Sequence, residues 1–531
     1  MPAKRTTGSR NITTEKKSAP EFFCVQSQCK QGDKHLESML QYVVGSLLIA
    51  IVSVGFLIAG PLVSPSCGDA CLPEAPEPAQ GTAVHPFFRE CSCLDYPERV
   101  QSESLPNVRT LSNQYAAQGP TTRIPNPANL SSMVILYGQF VDHGITTSRS
   151  DPEAPKYVIP VPEDPSDPFH VHGIETLEVS QHVKTTDANG CTVSISFTSP
   201  KIDASNIYSY DTETASELRG PDGTMKVVSS DDNGGFLPPN SHPEGHHETV
   251  VFAGDHRADE HTGLLAMHTL WVREHNYWAR WIKEKKPEWT SDQIYNKARQ
   301  IVTAEYQRIT YEEWLPALLG HPLDERREFP VPTAEISLEF AAAAFRFGHS
   351  GVNNFLGSIE MKNTFGNVQL LIDDGVGSVL KTFSEMYMES IDGKVIDGLR
   401  NFLFGPLGLD LNAINIMRGR DVGLPNWADA QRCFGFQPAP FDEEKDFFVG
   451  MLSQDPPPGQ VLPDLIQQII ERQFKRLRDS DDSYFRWNTN SGHKLGSSVF
   501  SQVSKVTLAD VIVRNTVLDS TDIPSNVFYV E

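Results

Sequence analysis

Apolar and polar positions follow a helical period most clearly between residues 131 and 143. The apolar positions recur at intervals of three and four residues: Met133, Leu136 and Phe140. This spacing predicts an amphipathic helix, on which Gln139 and His143 share one face and Asp142 lies beside them. Burying an amide, a carboxyl and an imidazole costs free energy unless each has a partner. The helix therefore predicts either a structural hydrogen-bond cluster or a chemical site.

Later parts of the chain show the same period. Residues 260–285 predict a long amphipathic helix, and residues 291–318 and 333–349 predict two more. One face of the first of these helices is apolar: Leu264, Met267, Trp271, Trp278 and Ile282. Residues 143–257 instead contain short alternating pieces, which are typical of short strands or loops. We therefore expect a mainly α class, with one large helical domain that carries few short strands.

A run of 22 uncharged residues, residues 42–63, precedes this domain. Such a run suffices to cross a bilayer, so we predict a transmembrane signal-anchor helix at 41–64. Basic residues precede the run and acidic residues are the first charges after it, which predicts a cytoplasmic N-terminus and an extracellular or lumenal domain. Residues 1–40 are expected to be a disordered tail, 65–86 a linker and 87–531 the domain. The alternative is a cleaved signal peptide and a secreted protein.

The net charge of the chain argues against one class of partner, the nucleic acids. The chain has 68 acidic and 45 basic residues, a formal charge of -23. A phosphate backbone needs a basic surface. We therefore expect no nucleic-acid partner.

The cysteines fit the predicted topology. Six of the 8 follow the predicted membrane segment, in a compartment where disulfides persist: Cys67, Cys71, Cys91, Cys93, Cys191 and Cys433. The sequence leaves their pairing open. Two close pairs also resemble metal-ligand spacings, but a zinc site is disfavoured because no second pair lies nearby as in a zinc ribbon.

Three further stretches place polar groups where the pattern predicts burial. They are residues 253–260, which lead into the long helix, residues 345–349, which end an alanine-rich helix, and residues 415–421, which follow another apolar run. Taken singly, each has an ordinary explanation, as a capping loop, a histidine at a helix C-terminus or a surface salt-bridge cluster. Together with residues 139–143 they supply two histidines, an arginine, an amide that could orient a histidine, and two carboxylates.

These stretches carry a resemblance to a known family. The patterns are Gly-Gln-x-x-Asp-His at 138–143, Asp-x-Arg-x-x-Glu at 255–260, Phe-Arg-x-Gly-His at 345–349 and Asn-x-x-Arg-x-Arg-Asp at 415–421. In this order and spacing they resemble the animal-type haem peroxidase family, of the myeloperoxidase and peroxinectin kind. The resemblance covers residues 87–531, and it implies the peroxidase fold of that family and a bound haem b.

The resemblance also implies a role for each residue of the patterns. His349 would be the axial ligand of the haem iron, and Asn415 would orient it. His143 would take a proton from hydrogen peroxide and return it, and Arg257 would stabilise the charge that develops as the O–O bond breaks. Gln139 would hydrogen-bond a distal water or halide. Arg346 and Arg418 would hold a haem propionate or a neighbouring carboxylate.

Two carboxylates match those that form ester bonds to haem methyl groups in the family, Asp142 and Glu260. Covalently held haem is therefore expected. One member of the family has a third link, a sulfonium bond, through a methionine that follows this glutamate. This chain has His261 at that position, so the third link should be absent.

The family's calcium site is matched only in part. A loop offers oxygen donors of the kind that calcium prefers: Ser199, Asp203, Ser205 and the carbonyl of Lys201. Gly144, however, stands where the family has an aspartate ligand after the distal histidine. Calcium is therefore expected to bind weakly, to bind differently or to be lost.

The function implied is that of a haem peroxidase, which reduces hydrogen peroxide and oxidises halide, thiocyanate or small phenolic donors in oxidative-stress or defence chemistry. One alternative is a catalytically silent haem-binding adhesion or matrix protein on the same scaffold. Another is a fatty-acid dioxygenase, which needs a tyrosine three residues before His349, where this chain has Arg346. Donor preference, the membrane of residence and the oligomeric state stay open.

Overall fold

The computed structural model describes residues 84–531 with short gaps. The gaps are residue 92 and residues 94–104, 120–121, 188, 229–233, 241–249, 326–332, 406–407, 441–444 and 488–494. The predicted tail, the predicted transmembrane helix and nearly all of the predicted linker therefore lie outside the described residues. Among the residues that are described, no helix combines the length and the apolar character needed to span a bilayer.

Helices form most of the regular structure in this part of the chain. The α-helices are α1 (Val108–Leu111), α2 (Met133–Ile145), α3 (Pro168–Val171), α4 (Ser205–Tyr208), α5 (Thr212–Glu217), α6 (Thr262–Lys285), α7 (Ser291–Ile309), α8 (Leu315–Leu319), α9 (Leu338–Ala342), α10 (Val368–Asp374), α11 (Val376–Glu385), α12 (Asp397–Arg400), α13 (Leu411–Asp421), α14 (Trp427–Cys433), α15 (Phe447–Leu452), α16 (Asp464–Ser480), α17 (Ser497–Val503) and α18 (Leu508–Asn515). Short 3₁₀ or π turns cover Ser112–Ala116, Pro221–Gly223, Thr310–Trp314, Ala344–His349, Met361–Asn363 and Phe485–Trp487. The mainly α class predicted from the sequence is confirmed.

The strands are short, with two to five residues each. They are β1 (His85–Pro86), β2 (Tyr157–Pro160), β3 (Thr176–Val179), β4 (Lys184–Thr186), β5 (Thr192–Ser196), β6 (Phe355–Leu356) and β7 (Ile359–Glu360). The pairings between these seven strands are antiparallel: one sheet has the order β1-β5-β4, and β2-β3 and β6-β7 form two-stranded ribbons. The strands predicted between residues 143 and 257 are therefore present.

Helix α2 is buried along most of its length. Its predicted apolar positions are at most 1% exposed: Met133, Leu136 and Phe140. Gly138 permits a close approach, because a Cβ atom there would lie 3.1 Å from the ring of Trp314. The indole N–H of Trp314 donates to the carbonyl of Val134 at 2.9 Å. This packing keeps the predicted helix in the core, and the polar side chains that it carries must find their partners there.

Helix α6 has the apolar face that the sequence predicts. The five face positions are all at most 1% exposed: Leu264, Met267, Trp271, Trp278 and Ile282. The helix begins at Thr262, two residues after the predicted start. His261 acts as its N-cap, since its ring nitrogen Nδ1 accepts the backbone N–H of Leu264 at 3.3 Å. Glu260 therefore lies just outside the helix.

The second predicted helix, over residues 291–318, is also present. Thr290 and Gln293 form a reciprocal capping box at its start. Helix α7 then continues through a π turn into α8, which ends at Gly320 in the left-handed conformation (φ 78°). The predicted boundaries are correct to within one residue, and only the π turn was not foreseen.

The third predicted helix, over residues 333–349, is wrong in its extent. Only α9 is α-helical, and a 3₁₀ turn covers Ala344–His349. The chain breaks at Ala343, whose φ of -137° and ψ of -73° are not helical. Alanine favours helices, so packing overrides local propensity here: the rings of Phe340 and Phe345 stack with centroids 4.4 Å apart across the break. The turn ends at His349.

Two disulfides tie the beginning of the described chain to distant elements. Cys91 pairs with Cys433 at the end of α14, and Cys93 pairs with Cys191 next to β5. The bonds join residues 342 and 98 positions apart, and closing such long loops stabilises a fold chiefly by constraining the unfolded chain. These four cysteines therefore serve as disulfides and not as zinc ligands. Cys67 and Cys71 lie outside the described residues.

Candidate active site

A cavity of about 420 Å³ lies between α2, the loop before α6, the 3₁₀ turn before His349 and α13. This volume falls within the range of sites that bury a small ligand or cofactor. The cavity is lined by most of the residues that the sequence analysis selected: Gln139, Asp142, His143, Arg257, Glu260, Arg346, His349 and Arg418. The structure thus brings residues from four distant stretches to one place.

His143 lies buried on α2, with its side chain 4% exposed. Its Nδ1 is 3.5 Å from Oδ1 of Asp255, without a hydrogen bond, and its Nε2 is 3.9 Å from Oε2 of Glu260. Burial, reinforced by the nearby charge of Arg257, holds the pKa of His143 well below its usual value. The imidazole is therefore neutral at pH 7 and is able to accept a proton.

Arg257 is held against α2 by a buried carboxylate. Its Nε and Nη2 donate to Asp255 at 2.9 and 2.8 Å, and Nη2 also donates to the hydroxyl of Thr147 at 2.8 Å and the carbonyl of His143 at 3.2 Å. Burial disfavours both charges, but the ion pair outweighs it, so the pKa of Asp255 lies far below and that of Arg257 above the usual value. The guanidinium is a fixed positive charge beside His143.

Glu260 and Gln139 form one hydrogen-bonded group with the helix cap. The amide nitrogen of Gln139 donates to Oε2 of Glu260 at 3.0 Å, and its Oε1 lies 2.8 Å from Nε2 of His261. Burial raises the pKa of Glu260 to about 7, although the charge of Arg257 opposes the rise. This carboxyl group is therefore partly protonated near neutral pH.

The other predicted ester-forming carboxylate, Asp142, lines the same cavity. Its Oδ1 accepts a hydrogen bond from the hydroxyl of Thr146 at 2.7 Å. Burial raises the pKa of Asp142, and Arg257 again opposes the rise. The carboxyl groups of Asp142 and Glu260 both lie near Arg257, whose charge is already paired with Asp255.

His349 lies at the end of the 3₁₀ turn and contacts α13. Its Nδ1 is 2.7 Å from the side-chain nitrogen of Asn415, whose Oδ1 accepts a hydrogen bond from Arg346 at 3.0 Å. Burial, with the charge of Arg346, lowers the pKa of His349 to about 3. The imidazole is thus neutral and oriented through one nitrogen, while the residue lines the cavity. A neutral imidazole is the form that ligates iron. Ligation through Nε2 needs the lone pair of that nitrogen, so Nδ1–H must then donate to the amide oxygen of Asn415, with the amide turned from the orientation described above.

Two arginines mark a cationic end of the cavity. Arg418 is paired with Asp421 at 2.6 Å and donates to the carbonyl of Ser180 at 3.0 Å. Arg346 has no such carboxylate, and its Nε is buried without a hydrogen-bond partner among the described residues. Burial lowers the pKa of Arg346 to about 10. A buried cation with an unsatisfied donor favours an anionic ligand group.

The rest of the lining is largely apolar. It includes aliphatic and aromatic side chains from several elements: Leu338, Phe345, Phe347, Leu399, Leu403, Leu411 and Ile414. An apolar cavity with a neutral imidazole and with arginines at one end fits haem, a large apolar ring that carries two carboxylates. The residues present therefore fit the cofactor that the sequence analysis expects.

The loop predicted to bind calcium uses its oxygen atoms on other partners. The hydroxyls of Ser205 and Thr198 donate to the carbonyl of Gly144 at 2.8 and 3.0 Å, and Oδ1 of Asp203 accepts the backbone N–H of Ser205 at 3.0 Å. Within the described ranges, no group of three or more histidine, cysteine, aspartate or glutamate residues is placed to hold a metal ion. The remaining predicted donors, Ser199 and the carbonyl of Lys201, add no carboxylate, so this loop fits calcium poorly.

Three residues of the site received no role from the sequence. Asp255, which pairs with Arg257, was visible as the first position of the Asp-x-Arg-x-x-Glu pattern. His261 was noted only as the replacement for a methionine. His182 lines the cavity near Arg346 and Arg418, and no local signal distinguishes it, because its position in the site results from the path of the chain between β3 and β4.

Comparison with known proteins agrees with this geometry. A family model described as animal haem peroxidase matches residues 76–443 and 442–528. Peroxinectin A of Dictyostelium discoideum is 28% identical over an alignment of 520 residues. The match covers 86% of this chain and 92% of that protein. Peroxidasin of Drosophila melanogaster is 29% identical over an alignment of 466 residues. The match covers 72% of this chain but only 30% of that protein. The chain thus corresponds to part of the longer peroxidasins.

Solved structures give the same result for the fold. Peroxidase A from Dictyostelium discoideum superimposes with a TM-score of 0.73 at 27% identity, and the match covers 84% of this chain and 96% of that one. A fatty acid alpha-dioxygenase of Arabidopsis thaliana superimposes with a TM-score of 0.68 at 15% identity, covering 84% and 80% of the two chains. The second likeness concerns the fold alone.

The pairing of Asp255 with Arg257 leads to a prediction about stability. Replacing Asp255 by Asn leaves the arginine buried without its counter-charge, so the free energy of unfolding at pH 7 should fall by about 3–5 kcal/mol. Because the carboxyl pKa is lowered on folding, its contribution is fully present above the unfolded value of about 3.9 and is lost in acid. The measurement is urea unfolding of haem-free protein at pH 7.

The matched control is an exposed ion pair. Lys156 and Glu178 are 3.0 Å apart with side chains that are both 57% exposed, so Glu178→Gln should cost less than about 1 kcal/mol. Equal losses in the two variants would mean that Asp255 has no special part in holding Arg257.

Proposed function

The chain belongs to the animal haem peroxidase family and is an oxidoreductase that uses peroxide, and on this premise we propose that it reduces hydrogen peroxide and oxidises halide, thiocyanate or small phenolic donors. The observation that carries the proposal is the convergence of His143, Arg257 and His349 on one cavity. Oxidative-stress or defence chemistry is the role we propose for this activity.

The family implies haem, and the protein residues that would hold it can be named. His349 would bind the iron through a ring nitrogen, and Asn415 would fix the orientation of that ring. Arg346, with its unsatisfied donor, and Arg418 would bind the propionates. Bound haem would supply a redox-active iron that takes oxidising equivalents from peroxide and passes them to a donor.

The polar residues near α2 would handle protons and charge. His143, neutral at pH 7, would accept a proton from hydrogen peroxide and return it to the departing oxygen, which is general base and then general acid catalysis. Arg257 would stabilise the negative charge that develops on the oxygen as the O–O bond breaks. Asp255 would keep this donor in place before the reaction begins, which is the property that makes a fixed charge effective.

A substitution at His143 tests the proposed acid/base role. In haem-loaded protein, His143→Ala should lower the rate of peroxide reduction by about 10²–10⁴-fold, since the proton transfer then falls to water. The rate is followed through the Soret band and through oxidation of a simple phenol. The control is His172→Ala, because this histidine is exposed outside the cavity.

The outcomes separate the candidate functions. Loss of turnover at unchanged haem content in His143→Ala supports the peroxidase mechanism. Haem binding without turnover in the wild-type protein would favour the catalytically silent adhesion or matrix protein instead. Unchanged turnover in His143→Ala would contradict the role of this residue.

We further propose that the haem is bound covalently. Asp142 and Glu260 line the cavity, and burial raises the pKa of both carboxyl groups, so neither is held as a strongly paired anion. Each would be joined to a haem methyl carbon as an ester. The methyl C–H bond and the carboxyl O–H bond would be lost, and one hydrogen peroxide would take up the two electrons and two protons and leave as two waters. His261 has no thioether sulfur, so no sulfonium link would form.

Extraction of haem tests the covalent bonds. After treatment with peroxide, acidified organic solvent should leave haem on the wild-type protein and remove it from the double variant with Asp142→Asn and Glu260→Gln. Each single variant should keep one bond and retain its haem. Complete extraction from the wild-type protein would show that the carboxylates do not react.

We also propose that tightly bound calcium does not stabilise the loop at residues 199–205. The hydroxyls of Ser205 and Thr198 are used on the carbonyl of Gly144, which has no side chain to offer a ligand. A chelator should therefore leave the Tm of the protein unchanged. The comparison is Gly144→Asp, which restores a carboxylate and should make the Tm rise with added calcium. A drop in the wild-type Tm on chelation would contradict the proposal.

We propose, finally, that the domain lies outside the cytoplasm, anchored through residues 41–64 or secreted. The two disulfides support an oxidising compartment. Asn129 begins one of two Asn-x-Ser/Thr sequences in the chain, and the other begins at Asn11 in the predicted cytoplasmic tail. Asn129 is exposed and directly follows a turn at residues 127–128, so a glycan would fit there.

The two sequences give a test of topology. In a eukaryotic secretory host, glycosidase treatment should shift the mobility of the protein, and Asn129→Gln should abolish the shift whereas Asn11→Gln should not. Alkaline extraction of membranes then distinguishes the anchored from the secreted form. A shift that depends on Asn11 would reverse the predicted orientation.

A further inference from the structure

His261 lies beside the proposed catalytic residues but has no part in the mechanism above. It precedes α6 and pairs through its backbone with Phe365 as an antiparallel bridge. Its ring packs near Phe383, with centroids 6.4 Å apart, and lines the cavity. Both of its ring nitrogens contact named partners, which allows its tautomer to be assigned.

The cap of α6 determines which ring nitrogen carries the proton. The backbone N–H of Leu264 donates to Nδ1 at 3.3 Å, so Nδ1 must offer a lone pair. A neutral imidazole carries one N–H, which is then on Nε2. Burial supports the neutral form, since it lowers the pKa of His261 to about 4. Nε2–H therefore donates to Oε1 of Gln139 over 2.8 Å.

This donor decides the orientation of the Gln139 amide. With Oε1 facing His261, the amide nitrogen faces Oε2 of Glu260 at 3.0 Å. A reversed amide would set its N–H groups against the N–H of His261 and its oxygen against the carboxyl of Glu260. An amide nitrogen has two N–H groups, so one serves Glu260 and the second remains for the cavity that Gln139 lines.

We propose that His261 is a positioning residue that fixes the amide of Gln139 with an N–H directed into the cavity, so that the pocket binds small anions that accept hydrogen bonds. The contact between His261 and the N-terminus of α6 therefore affects which ligands the pocket binds. The anion would meet two fixed donors, the Gln139 amide and the Arg257 guanidinium. This inference rests on the proposed function for its ligand readout, but the hydrogen bond itself is open to test in haem-free protein.

Two substitutions separate the cap from the positioning role. Asparagine places an acceptor near Nδ1, so His261→Asn retains a cap for α6 but does not reach Gln139. Glutamine extends to the position of Nε2, so His261→Gln retains a donor to Gln139 and weakens the cap. If His261 serves only as the cap of α6, His261→Asn should be the better tolerated of the two variants. If His261 positions Gln139, His261→Gln should bind the ligand better than His261→Asn.

The ligand readout is fluoride binding to the full-length ferric haem-loaded protein, followed in the Soret band. His261→Asn should weaken fluoride binding about tenfold or more, since an oriented hydrogen bond to an anion is lost. His261→Gln should remain within about threefold of wild type. Haem content and the ferric Soret band before fluoride is added are the control, and both should match wild type in the two variants.

A double-mutant cycle in haem-free protein provides the second measurement. If the hydrogen bond forms, His261→Asn and Gln139→Met should shift the urea midpoint less in combination than the sum of their separate shifts. Additive shifts would overturn the proposal whether or not haem binds. In haem-loaded protein, equal fluoride affinity in wild type and His261→Asn would also overturn it. Absence of peroxide turnover in the wild-type protein would count against the proposed function alone.

Discussion

Helix α2 carries an imidazole, an amide and a carboxyl group into an apolar core, and the site depends on supplying each of them with a partner. The helix cannot do so alone, because its own backbone groups are already paired. The partners of Gln139 come from one later segment, residues 255–261, through Glu260 and His261. Asp255 of the same segment places its negative charge 3.5 Å from Nδ1 of His143, without a hydrogen bond. Since unpartnered burial would cost several kcal/mol for each group, docking of this segment against α2 and assembly of the site are one event.

The two cationic regions of the cavity differ in how their charge is balanced. Arg257 has its own carboxylate, Asp255, so its charge is satisfied within the protein and its pKa is raised. Arg346 is buried beside Asn415, has no paired carboxylate in the described part of the chain, and has its pKa lowered by burial to about 10. The first arrangement provides a fixed donor for a reaction, and the second favours an anionic group from a ligand. This local balance is independent of the net charge of -23.

Hydrophobic periodicity predicted the long elements well and the short ones poorly. Helices α2 and α6 appear close to their predicted positions, because each has an unbroken apolar face that packing reinforces. The alanine-rich stretch at 333–349 was predicted as one helix, yet it breaks at Ala343. Helix propensity is a weak preference that tertiary contacts override, and here the contacts between Phe340 and Phe345 accompany the break that presents His349.

The sequence by itself determined the class of fold and the long helices, because hydrophobic period is a property of the chain. The order and spacing of its motifs also selected the eight residues that the structure brings to one cavity. It did not determine the disulfide pairing, the use of Asp255 against Arg257 or the bond from His261 to Gln139. The two disulfides and the His261–Gln139 bond join residues that lie 342, 98 and 122 positions apart in the chain. Asp255 and Arg257 are close in sequence, but burial of both side chains against α2 makes them an ion pair. Only the tertiary structure sets those distances, since it alone decides which segments meet and which polar group each buried atom can reach.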